Sequence, residues 1–68
     1  MTTLEEMGIV MRAVPGPRAG VHEVADWYSR KAHLLDRLAG DLAGTEAVRM
    51  HRQAVLARRR AAKLMSPS

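Results

Sequence analysis

The stretch Val21–Leu42, VHEVADWYSRKAHLLDRLAGDL, decides the fold. Set at 100° per residue, it places Val21, Val24, Ala25, Trp27, Tyr28, Ala32, Leu34, Leu35, Leu38, Ala39 and Leu42 in one half of the circumference, interrupted only by Lys31. The other half is wholly polar. That pattern predicts a strongly amphipathic helix over 21–42. Pro15-Gly16-Pro17 and Gly20 mark its start, and Glu23 and Asp26 suit the positive end of its dipole. Gly40 and Gly44 bracket its end.

Beyond Gly44 the chain offers Thr45 as an N-cap, Glu46 as a first-turn acid and a second long helix over 45–65. One flank of this helix carries Ala47, Ala54, Ala57 and Ala61 beside Met50 and Leu64, and another carries Val48, Val55 and Ala62. His51 and Arg58 sit between them. The small residues invite close approach to the first long helix, and the split arc predicts two neighbours. Arg58 is expected to lay its stem on the apolar surface with its head in water or against a carboxylate.

Upstream, Leu4, Met7, Met11 and Val14 recur at helical spacing, and Thr2 with Glu5, or Thr3 with Glu6, matches a capping box. A short N-terminal helix follows from this. A strand over 8–14 is the rival, supported by Ile9, Val10 and Val14 but weak in alternation. With a strand there, the order of elements resembles a ribbon-helix-helix regulator in topology alone: only Arg12 among residues 8–14 is polar, and both helices are long for that family. The predicted architecture is therefore all-α, one domain over 1–68. It consists of two long antiparallel helices, a short N-terminal helix, a Pro/Gly loop at 15–20 and a frayed tail at 66–68.

Sixty-eight residues bury only roughly 60% of the surface that the unfolded chain exposes. Without cysteine neither disulfides nor thiolate zinc sites reinforce the core, and self-association becomes the economical route. The predicted contact is the broad apolar face of the first long helix, with Trp27, Leu34 and Leu38 as interface residues of a homodimer. No apolar run reaches the roughly 20 residues that span a bilayer, and the first six residues hold two acids and no base. A cytoplasmic protein without membrane contact is expected.

Charge is the most informative feature of function. The net charge is +4. From Thr45 onward six bases face one acid, a net of +5, and the preceding residues hold five bases and six acids, a net of −1. Arg49, Arg52, Arg59, Arg60 and Lys63 share one arc of about 100° on the second long helix. Such an arc follows a phosphate backbone, which makes a small non-enzymatic nucleic-acid-associated or regulatory protein the leading expectation. The alternative is a helical interaction module or adaptor whose basic face only solubilises it.

Candidate chemistry is sparse. Ser29, His33 and Asp36 lie within helical reach of one another, but acyl transfer also needs oxyanion donors and a dry pocket, which a solvated helix midsection lacks. His22 and Asp26 form a two-ligand arm with no third ligand in register. No catalytic residue, metal or cofactor, and no small-molecule substrate, is assigned. Trp27 and Tyr28, the only aromatics, fall on the apolar half and read as core anchors.

Overall fold

The computed structural model describes residues 2–66. They form three helices: α1 (Thr3–Arg12), α2 (Val21–Asp41) and α3 (Gly44–Met65). No strand occurs among the described residues, so the helical reading of residues 8–14 holds through Arg12 and the ribbon-helix-helix topology does not. The start of α1 is fixed by the Thr2–Glu5 capping box: the Glu5 N–H donates to Thr2 Oγ1 at 3.1 Å, and the Thr2 N–H donates to Glu5 Oε1 at 3.3 Å. The tail residues Pro67 and Ser68, like Met1, lie outside the described residues.

Helix α2 is the hub. Its apolar half is shared between two neighbours on different sides. Towards α3 it turns Ala32 and Leu35, which form one buried cluster with Ala54 and Ala57. Ala32 and Ala54 are both 0% exposed, because two methyl side chains let the backbones approach closely. Towards α1 it turns Trp27 and Leu34, which enclose Val10. Lys31, the residue that breaks the apolar half, holds its Nζ 5.2 Å from the Trp27 ring centroid, so its charge rests on an aromatic face.

Three expectations need correction. The buried side of α1 is set by Val10, with Met7 partly buried beside it, whereas Leu4, Met11 and Val14 are exposed. Docking the helix this way seats Val10 on Trp27 and Leu34 and brings Glu6 to Arg37. Secondly, α3 runs along one helix, α2; α1 makes no approach to it at the level of the Cα trace, and only its Met7 side chain packs against the α2/α3 cluster. Its second apolar flank is consequently open, with Val48 and Ala62 exposed and only Val55 partly buried.

Thirdly, Thr45 does not cap α3. The helix starts at Gly44, the cap position is Ala43, and no side chain caps it. The turn is made instead by Gly44 at φ +63°, a left-handed conformation that glycine adopts without steric cost. The glycine signal between the helices thus marks the turn itself. Helix α2 stops at Asp41, with Gly40 in its last turn.

With α1 and α3 on adjoining sides of α2, joined where Met7 and Tyr28 pack against both clusters, the chain measures 37 × 25 × 14 Å. Its radius of gyration is 12.6 Å. A compact chain of this length has about 11 Å. The exposed area is 5080 Å². A typical monomer of this mass exposes about 4,250 Å².

Candidate functional site

The outer face of α3 carries the charge. Arg49, Arg52, Arg59, Arg60 and Lys63 are all exposed. Among the described residues none of the five has a carboxylate within salt-bridge distance, and the ion pairs that do form take other groups. Arg37 binds Glu6 at 2.7 Å, tying α2 to α1. Arg58 binds Asp36, and His51 Nδ1 lies 3.3 Å from the same carboxylate, tying α3 to α2. Arg58 thus meets a carboxylate, as its position between the apolar flanks predicts. Its hydrogen bond holds the Asp36 carboxyl below the usual carboxylate range; partial desolvation opposes this, and the charges of Arg58 and His51 reinforce it.

The centre of the basic arc is a residue that charge counting overlooks. Leu56 lies three or four residues from Arg52, Arg59 and Arg60 and seven from Arg49 and Lys63, so the five cations surround it on the helix surface. It is 47% exposed. The i±3, i±4 and i±7 spacing was present in the sequence; an isolated leucine amid arginines simply carries no periodic apolar signal.

Beside Leu56 an open groove of about 1060 Å³ runs between α2 and α3. Val24 and Tyr28 contribute to its wall from α2, and Leu56, Ala57 and Leu64 from α3. Lys31, Arg59, Arg60 and Lys63 are its charged residues, and no acid lines it. The Arg60 guanidinium carbon lies 5.9 Å from the Tyr28 ring centroid, so this cation rests on an aromatic ring of the groove wall.

A second groove of about 550 Å³ lies between α1 and α2, with Ile9, Val10 and Leu34 as its apolar part and Glu6, Ser29, Arg30, His33 and Arg37 around it. Ser29 and His33 are therefore together, but Asp36 turns to α3. Among the described residues no hydrogen bond links these three side chains. No group of three or more His, Cys, Asp or Glu among them is placed to hold a metal ion.

The residues predicted for a homodimer contact are placed differently. Trp27 and Leu34 are 9% and 7% exposed within the single chain, and Leu38 is partly buried. Trp27 sits at the edge of the apolar half, where α1 covers it, so neither Trp27 nor Leu34 is an outward contact. No described helix is long and apolar enough to cross a membrane. No family model, curated protein or solved structure matches the chain.

Proposed function

We propose that this chain is a small non-enzymatic, cytoplasmic nucleic-acid-associated or regulatory protein that acts by binding an anionic macromolecule through α3. The observation that carries the reading is the row of five exposed cations without carboxylate partners, spread over four turns of one rigid helix. Fixed spacing matters because the helix holds the five backbone positions in register before binding, so only the side chains remain to be ordered against a phosphate or carboxylate. The second reading, an interaction module for an acidic protein surface, is favoured by Leu56, since an exposed apolar side chain ringed by charge is the arrangement of an interface centre and its rim.

Self-association belongs to the same proposal. Because the α3 face would repel its own copy, the self-contact falls on α1, where Leu4 and Met11 form an exposed i,i+7 stripe, 68% and 45% accessible. Titration of the chain with random duplex at low and moderate salt tests the anionic reading. Binding that weakens steeply with salt supports it. Absence of binding to duplex and to acidic peptides at low salt removes it.

A further inference from the structure

We propose that the α2/α3 groove receives an acidic amphipathic helix from a protein partner, with Leu56 as the central apolar contact. The proposal rests on the anionic-partner reading and names the partner's class. Its basis is that apolar surface and uncompensated positive charge occupy one groove: Val24, Tyr28, Leu56 and Leu64 supply the first, and Lys31, Arg59, Arg60 and Lys63 the second.

A phosphate backbone uses only the cations. It has no apolar group to place against Leu56, so the apolar part of the groove stays wet in a nucleic-acid complex. A helix with a leucine stripe bordered by glutamates uses both, burying the stripe while its carboxylates meet the rim. The dimensions agree. The lining positions on α3 run from Gln53 to Leu64. At 1.5 Å per residue that span is about 17 Å, roughly three helical turns.

This chain's own α1 and the α3 of a second copy both fit the groove poorly. Helix α1 packs on another side of α2 and contributes no residue to the lining. A second copy of α3 would set like charge against like, because residues from Thr45 onward carry six bases and one acid. The rim is also partly pre-ordered, with Arg60 on the Tyr28 ring and Lys31 on the Trp27 ring.

The test uses the full chain and three labelled probes followed by fluorescence anisotropy. They are a synthetic helix of ~18 residues with a leucine stripe and flanking glutamates, a scrambled peptide of the same composition, and random duplex. The striped peptide should bind about ten-fold or more tighter than the scrambled one. Leu56→Gln, a change at an exposed position, should abolish that advantage and leave duplex and scrambled affinities unchanged. Equal binding of the two peptides, or tighter binding of duplex than of the striped peptide, would overturn the groove proposal while leaving the anionic reading intact. If none of the probes binds, the anionic reading fails with it.

Discussion

Trp27 Nε1 donates a 2.7 Å hydrogen bond to the carbonyl of Val10, which also accepts the Ala13 N–H at 3.1 Å. One indole therefore does two jobs: its ring packs on Val10 and Leu34, and its N–H satisfies a carbonyl that the end of α1 would otherwise leave short of partners. This bond is a buried polar fastening of the short helix to α2, beside the exposed Glu6–Arg37 ion pair.

Replacing Trp27 by Phe keeps an aromatic ring and removes the donor, and should cost about 1 kcal/mol. Trp27→Ala also opens a cavity and should cost about 3–5 kcal/mol, a large part of what a domain this small possesses. Urea unfolding followed by circular dichroism measures both. Equal, small losses would show that α1 is held mainly by Glu6–Arg37 and Met7.

Acid should loosen the α2/α3 contact. The folded-state pKa of Asp36 lies below its usual value, so its stabilisation is present above the unfolded pKa of about 3.9 and is lost as pH falls through the folded value. The pair is partly exposed, with side-chain accessibilities of 30% for Asp36 and 50% for Arg58. Its worth is accordingly at most about 1 kcal/mol. Asp36→Asn should lower stability at neutral pH and flatten its decline below about pH 4. A decline unchanged in slope would place the acid sensitivity in another carboxylate.

Two glycines should respond oppositely to alanine. At Gly8, within α1, a Cβ would meet only the Arg12 guanidinium at ordinary contact distance, so Gly8→Ala should stabilise by about 0.5–1 kcal/mol. At Gly44 the surroundings are open but φ is +63°, so Gly44→Ala should destabilise by about 1 kcal/mol. Ala43→Asp, supplying the missing cap, should raise the midpoint. Thermal melts of the three variants check the signs.

Self-association through α1 is read by sedimentation velocity at micromolar concentration. The chain should sediment as a dimer, and Leu4→Glu with Met11→Glu should return it to a monomer with unchanged helicity. A wild-type monomer across that range would remove the α1 interface.

The two long helices were legible because their apolar positions keep a 3.6-residue period for five turns or more, and a period that long has one structural meaning. Side-to-side placement was not legible. Met7 and Met11 are one turn apart with the same chemistry, and only docking against Trp27 puts the first partly inside and the second outside. Trp27 lies at the margin of its face, and angle does not say which helix arrives there. Exposure of the basic arc follows from the sequence, since unpaired charges resist burial, and all five residues are exposed. What the charge count hid was Leu56 at its middle.

The central claim is that α3 presents its cations to an anionic partner and does not need them to fold. Arg52 and Arg59 provide the cleanest probe, because Arg60 leans on Tyr28 and Arg58 binds Asp36. The decisive measurement is affinity for random duplex and for an acidic helical peptide at low salt, wild type against Arg52→Glu/Arg59→Glu, with helicity recorded on the same samples. The account predicts unchanged helicity and loss of binding to every anionic probe. A variant that binds as tightly as the wild type, or one that no longer folds, would contradict it.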